Sequence, residues 1–246
     1  MKLNRDKQII IGLLLFSFLL RLLFKNAGLF HFDSYADVRT VEQILETGKM
    51  QYSYAYGSPT TMALVFLTFI LDKFIFGATN PENAYFFVTF LTAALSTAIL
   101  YMIVKKITKN NFISISSALI FTLTPTLMAV TTYPKTHAIS IFFALLGGYL
   151  LISATEKNQI KNIILAGLCF GAGIGTRPFA ALYIIPFALL YLKPKIKNNS
   201  ISIKKEKLSW KKIIIFCVSI AIVPILLFMP WIMEKGIEDF LAKTNP

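Results

Sequence analysis

Acidic residues and cysteines are scarce in this sequence of 246 residues. Only 12 residues are Asp or Glu, only two are Cys, and charged residues make up 15% of the chain. The two cysteines lie inside apolar runs, which excludes both a disulfide framework and a zinc site. Because 56% of the residues are hydrophobic and the mean hydropathy is +0.65, a water-soluble globular domain is excluded as well. The composition predicts an all-α integral membrane protein.

Long apolar runs account for the hydrophobic excess, and a run of about 20 residues can cross a bilayer as a helix. The longest run, 163–192, contains Arg177-Pro178 near its centre. Because proline interrupts helical hydrogen bonding, the sequence predicts two short helices there. The whole chain, 1–246, is predicted to form one membrane domain. Its seven expected transmembrane helices cover 8–24, 84–104, 112–131, 138–154, the two halves of 163–192, and 213–233.

The distribution of basic residues predicts the orientation of the chain. Segment 60–71 is too short to cross a bilayer, and Lys and Arg collect on the cytoplasmic side only if this segment lies flat on the outer surface. The N-terminus and the basic loop 193–212 are then cytoplasmic, and a long external loop, 25–83, carries interfacial helices. The net charge of +13 reflects these loops, so no nucleic-acid partner is expected. The predicted location is the cell membrane, as a multi-pass protein.

Four of the few acidic residues cluster just after the first predicted span. Residues 33–48 predict a helix, with Asp33 at its N-cap and Gly48 at its C-terminal end. Asp33 and Asp37 share one face of this helix, where like charges repel by about 0.2 to 0.5 kcal/mol. A cation, a bound ligand or a proton-transfer role would compensate the repulsion, so both are candidate catalytic residues. The alternative for Asp33 is a simple helix cap.

Basic and aromatic side chains are predicted to reach the same outer surface. Lys135 and His137 lie in the connection between two spans, and Arg177 lies in the break of the longest run. These three are candidate substrate-binding residues because Arg and Lys suit phosphate oxygens, although each can instead anchor the chain at the interface. Tyr52 can stack on a sugar or belong to an interfacial aromatic belt. Arg21, near the end of the first span, is predicted to be an interface anchor.

A series of short motifs resembles the GT-C superfamily of membrane glycosyltransferases, which includes protein O-mannosyltransferases and lipid A aminoarabinose transferases. The motifs are Phe32-Asp33-Ser34-Tyr35, Leu45-Glu46-Thr47-Gly48, Gly57-Ser58-Pro59, Leu123-Thr124-Pro125, the glycine-rich run 167–178, and Pro230-Trp231. Their order covers nearly the whole chain. The resemblance implies transfer of a sugar from a polyprenyl-phosphate donor to a lipid or surface-polymer acceptor on the outer face of the membrane.

The resemblance also implies roles for individual residues. Asp33 occupies the position of the catalytic carboxylate, as general base on the acceptor hydroxyl or as a metal ligand, with Asp37 as its neighbour. Arg177 and Lys135 would hold the lipid phosphate. Many members have a second carboxylate where this chain has Ser34, and the second external connection here has no acidic residue. A divalent metal cofactor is therefore not favoured, and a monosaccharide transferase is favoured over a metal-dependent oligosaccharyltransferase.

The sequence alone leaves alternatives to a complete, active transferase. A non-catalytic GT-C-like subunit or lipid-binding protein would keep the fold without the reaction. Because family members usually have more helices, the chain can also be a truncated module, or one that a partner subunit completes. A transporter is disfavoured because, apart from Arg21 and the break at Arg177, the predicted spans contain no Asp, Glu, Lys or Arg.

Overall fold

The computed structural model describes residues 5–26, 32–49, 58–157, 159–191, 195–197, 200–202 and 210–236. Apart from one short antiparallel hairpin, β1 (Lys195–Lys197) with β2 (Ser200–Ser202), the elements in these ranges are helical. The helices are α1 (Arg5–Leu23), α2 (Phe32–Thr47), α3 (Pro59–Phe76), α4 (Glu82–Thr108), α5 (Asn111–Leu123), α6 (Pro125–Thr131), α7 (Thr136–Lys157), α8 (Ile160–Thr176), a 3-10 helix (Pro178–Tyr183), α9 (Ile184–Tyr191) and α10 (Trp210–Lys235). The predicted all-α class is confirmed.

Helix α4 forms the centre of the bundle. Helices α1, α3, α5 and α7 pack against it, while α8 packs between α7 and α10. In the most apolar stretch of α4, 67% of the residues are therefore buried inside the bundle. In the corresponding stretch of α10, only 6% are buried. Large apolar side chains cover the outside of the bundle, which is the reverse of a soluble protein and suits a lipid environment. The chain is a multi-pass membrane protein.

Fewer helices than predicted are long enough to cross a membrane alone. Within the described ranges, α3, α4, α7 and α10 have the necessary length and hydropathy, and α5 with α6 qualifies as a pair bent by 58°. The seven predicted spans are therefore not confirmed, since length and composition support four or five. Helix α8 is shorter, and the 19 residues of α1 include four charged side chains, Arg5, Asp6, Lys7 and Arg21. The predicted break before Pro178 is confirmed, because Arg177 is extended between α8 and the 3-10 helix.

Helix α3 is longer than the 12-residue segment proposed from the sequence. It continues past Asp72 and Lys73 and ends at Gly77, whose φ of 69° closes the helix in the left-handed conformation. At its other end, Thr60 approaches Gly175 near the end of α8. The placement of α3 flat on the outer surface stays a prediction, because its 18 residues also suit a crossing.

Glycine allows α8 and α10 to approach each other closely. A Cβ atom on Gly171 would overlap the backbone carbonyl oxygen of Ile220, and one on Gly167 would lie 2.5 Å from the Cβ of Ser219. The backbones of the two helices therefore touch through glycine, as small residues permit in membranes. This contact holds α10, whose other faces are largely exposed.

Candidate active site

The N-terminal end of α2 is fixed to the connection between α6 and α7. The hydroxyl of Ser34, which is fully buried, donates a hydrogen bond to the backbone carbonyl of Pro134. Asn26, six residues before α2, donates from its backbone N–H to the Thr132 carbonyl oxygen and from its side-chain amide to Thr132 Oγ1, both at 3.1 Å. These bonds hold the first turn of α2, which carries the half-buried residue Asp33, beside the α6–α7 connection.

Asp37 points inward and ties three helices together. Its side chain is 1% exposed and accepts two hydrogen bonds, from Tyr85 Oη at 2.6 Å to Oδ2 and from Ser58 Oγ at 3.1 Å to Oδ1. Tyr85 belongs to α4, and Ser58 immediately precedes α3. Hydroxyl donors offset the cost of burying a carboxylate. Asp33 and Asp37 thus differ in environment although they are one helical turn apart, and the catalytic role of each stays a prediction.

The basic candidates lie at the same end of the bundle. Nη1 of Arg177 lies 2.7 Å from Nε2 and 2.9 Å from Nδ1 of His137, and 3.4 Å from Thr136 Oγ1. Arg177 follows α8, and the other two residues begin α7. Lys135 directs its Nζ to Tyr133 Oη at 3.3 Å and lies 5.5 Å from the centre of that ring. The structure therefore brings Arg177 and His137 together where the start of α7 lies beside the end of α8. Lys135, the third basic candidate, immediately precedes α7.

Two further predictions concern Tyr52 and metal binding. Tyr52 lies in 50–57, outside the described residues, so its contact with a sugar stays a prediction. Across the described part of the chain, no group of three or more His, Cys, Asp or Glu side chains gathers closely enough to hold a metal ion.

Arg21 is fully buried, so its interpretation as an interface anchor is wrong. Its Nε donates to Thr131 Oγ1 at 3.1 Å, and its Nη1 donates to Ser17 Oγ at 2.6 Å and to the Ser17 carbonyl oxygen at 2.8 Å. The hydroxyl chain continues from Ser17 to Thr97 at 3.0 Å and from Thr97 to Thr122 at 2.7 Å. Nη2 of Arg21 has no hydrogen-bond partner among the described residues. This polar layer joins α1, α4, α5 and α6.

Comparison with known proteins identifies a family that this sequence matches. A sequence model of the dolichyl-phosphate-mannose-protein mannosyltransferases matches residues 59–233, more than half of the chain. The matched region contains Lys135, His137 and Arg177 and begins after Asp33 and Asp37. The undecaprenyl phosphate-alpha-4-amino-4-deoxy-L-arabinose arabinosyl transferase of Wigglesworthia glossinidia brevipalpis is 31% identical over 126 residues. That alignment covers 50% of this chain and 22% of that protein, so the chain matches less than a quarter of its relative's length.

Proposed function

Since this chain belongs to the dolichyl-phosphate-mannose-protein mannosyltransferase family, we propose that it transfers a monosaccharide from a polyprenyl-phosphate donor to a lipid or surface-polymer acceptor at the outer face of the cell membrane. The observation that carries the proposal is the hydrogen bond from Ser34 to the Pro134 carbonyl. It joins the helix that bears Asp33 to the connection that leads to Lys135 and His137. In this arrangement the carboxylate of Asp33 serves the acceptor, and the basic cluster serves the phosphate of the donor.

The basic cluster supplies the binding site for the donor phosphate. Arg177 and Lys135 bind the phosphate oxygens, since guanidinium and ammonium groups form strong charge-assisted hydrogen bonds with them. His137, at 2.7 Å from the guanidinium, positions Arg177. Phe179 and Leu182 follow Arg177 in the 3-10 helix and are exposed, so they offer apolar surface to the polyprenyl chain next to its phosphate.

The carboxylate of Asp33 acts as general base. It takes the proton of the acceptor hydroxyl as the acceptor oxygen forms a bond to the anomeric carbon of the donor sugar. The bond between that carbon and the phosphate oxygen breaks, and the polyprenyl phosphate leaves with its negative charge held by Arg177 and Lys135. Attack opposite the leaving group inverts the anomeric configuration. Asp37 supports this arrangement by holding α2 against Tyr85.

Sugar transfer by the purified full chain in proteoliposomes tests the proposal, with a radiolabelled polyprenyl-phosphate sugar as donor and lipid extract from the source membranes as acceptor. Asp33→Asn should lower kcat by about 100-fold to 10,000-fold and leave donor binding intact, because general-base catalysis contributes that range. Arg177→Ala should raise the KM for the donor and also lower kcat, because Arg177 binds the donor phosphate and stabilises the charge that develops on it as the sugar leaves. Asp72→Asn makes the same charge change on α3 and should turn over at the wild-type rate.

The outcomes separate the classes of function. Wild-type turnover in Asp33→Asn would refute the assignment of the base. Donor binding by the wild-type chain without transfer to any acceptor in the extract would instead support a non-catalytic subunit that holds the lipid-linked sugar. A partner subunit would then be identified by the return of transfer activity when solubilised native membranes are added.

A further inference from the structure

A polar pocket lies at the opposite end of the bundle from the candidate active site. Its polar lining comes from Asp6 of α1, from Tyr101, Lys105 and Lys106 of α4, and from Tyr149 of α7. Tyr85, which binds Asp37, lies near the start of α4, and Lys105 lies near its end. At a rise of 1.5 Å per residue these two positions are about 30 Å apart. The pocket is therefore separate from the donor site and has no part in the proposed reaction.

The pocket is large enough for a small anionic group. Its volume is about 210 Å³, which exceeds the space that a few water molecules need. Ile10 and Met102 add apolar side chains to the lining. On the neighbouring turns, Ile11 and Ile107 expose apolar surface to the outside of the bundle. A ligand here thus meets polar groups inside the pocket and hydrocarbon beside it.

Contacts within the bundle position the two lysines. Nζ of Lys106 lies 3.0 Å from Ser153 Oγ and 5.4 Å from the centre of the Tyr149 ring. The ammonium group of Lys105 donates a hydrogen bond to the side-chain carbonyl of Asn111. Both lysine side chains are half-buried. Since their conformations are already restricted, binding an anion costs less conformational entropy than it would with two free surface lysines.

The charges around the pocket favour an anion. Among the described residues that line the pocket, Asp6 supplies the one carboxylate, and it accepts a hydrogen bond from Tyr101 Oη at 3.2 Å. The two lysines outnumber it, and the exposed side chains of Arg5 and Lys7 flank it on the first turn of α1. The pocket and its rim are therefore net positive at neutral pH.

We propose that this pocket binds the phosphate of an anionic phospholipid from the membrane leaflet at this end of the bundle. Lys105 and Lys106 bind the phosphate oxygens, the Tyr149 ring lies at the level of the head group, and the acyl chains lie against the apolar surface near Ile11 and Ile107. Basic pockets between membrane helices bind acidic head groups in this way. The apolar surroundings favour a lipid phosphate over free phosphate. Only a lipid gains both from the lysine contacts with its phosphate and from the apolar surface beside its acyl chains.

Lipid binding by the purified full chain in nanodiscs tests this proposal, with fluorescent phosphatidylglycerol compared against phosphatidylcholine. Phosphatidylglycerol should bind preferentially, and Lys106→Gln should weaken it about fivefold, the factor that about 1 kcal/mol per lysine gives. Asp6→Asn should strengthen binding by a similar factor, since it removes the negative charge of the lining. A misfolded variant would not gain affinity. Lys109→Gln removes one charge at the same end outside the lining and should bind as the wild type does.

Two results would overturn the proposal. Equal weakening by Lys106→Gln and Lys109→Gln would mean that the lipid responds to general surface charge. Inorganic phosphate that binds with the same response to the variants, while phosphatidylglycerol binds no better than phosphatidylcholine, would identify a site for free anions. Lys106→Arg keeps the charge and should retain most of the affinity, which separates loss of the charge from loss of the fold.

Discussion

Replacing Tyr85 by Phe should destabilise the protein by about 2 kcal/mol. The substitution removes only the hydroxyl that donates to Asp37 Oδ2 at 2.6 Å, and a hydrogen bond to a charged group contributes about 1.5 to 3 kcal/mol. The aromatic ring, which is fully buried, stays in place, so no cavity opens. Ser58 still donates to the carboxylate at 3.1 Å, which keeps the expected loss below that of an unpaired buried charge.

Thermal unfolding in detergent, followed by circular dichroism, measures this loss. For a chain of this size 1 kcal/mol shifts Tm by about 2 to 4 °C, so Tyr85→Phe should lower Tm by about 4 to 8 °C. Tyr35→Phe is the matched control because Tyr35 lies on α2 and is 59% exposed. An exposed change of this kind should alter the free energy of unfolding by less than about 0.5 kcal/mol.

A double-mutant cycle shows whether the hydroxyl acts through Asp37. Asp37→Asn alone should also destabilise the protein, because the amide cannot offer the two charged acceptors that Tyr85 and Ser58 use. Combined with Tyr85→Phe, the total loss should fall short of the sum by about 0.5 to 3 kcal/mol, as for residues in contact. Additive losses would refute the reasoning. A Tyr85→Phe shift no larger than that of Tyr35→Phe would refute it as well.

Three further predictions test other parts of the fold. Gly171→Ala should destabilise the protein by about 1 to 3 kcal/mol in the same thermal assay, since its Cβ would overlap the Ile220 carbonyl oxygen. Gly12→Ala is the control, because nothing lies within 4 Å of the new atom, and it should be neutral or stabilising. If Gly171→Ala and Gly12→Ala changed the stability equally, the close packing of α8 on α10 would be contradicted. Arg21→Ala should cost more stability than Arg21→Met, which fills the same volume without a buried charge; equal losses would show that volume contributes little. A tryptophan replacing Leu67, exposed in the middle of α3, should be quenched most by lipids brominated near the head group, and strongest quenching by deep bromines would show that α3 crosses the membrane.

Local signals in the sequence predicted several elements correctly. Helix α2 was predicted over 33–48 and extends from Phe32 to Thr47, with Gly48 at φ 67° as its end. The break at Arg177-Pro178 was also predicted, because proline acts on its immediate neighbours. The length of α3 was underestimated, because Asp72 and Lys73 do not interrupt the helix. Charged side chains near the end of a helix can extend away from apolar surroundings while the backbone stays helical.

The site contacts that escaped prediction depend on residues far apart in the chain. Tyr85 lies 48 residues from Asp37, and Thr131 lies 110 residues from Arg21. Nothing in the neighbourhood of either charged residue distinguishes an inward side chain from an outward one, because only the packing of α2 and α1 on α4 decides it. The proximity of His137 and Arg177 was predictable in outline, since each borders a predicted span on the side that is predicted to be external. Their pairing, with Arg177 against His137, required the structure.

The burial of Arg21 has a consequence for biosynthesis. Its hydroxyl partner Thr131 is made 110 residues later, and at about 5 to 20 residues per second the interval lasts roughly 5 to 20 s. The guanidinium of Arg21 lies in the last turn of α1 and is fully buried in the folded bundle, and a charged group without its partners is costly to place in hydrocarbon. During that interval α1 must keep its guanidinium hydrated or inside the translocation channel. Helix α1 therefore acquires its final polar contacts only after α4, α5 and α6 have emerged, although it is synthesised before them.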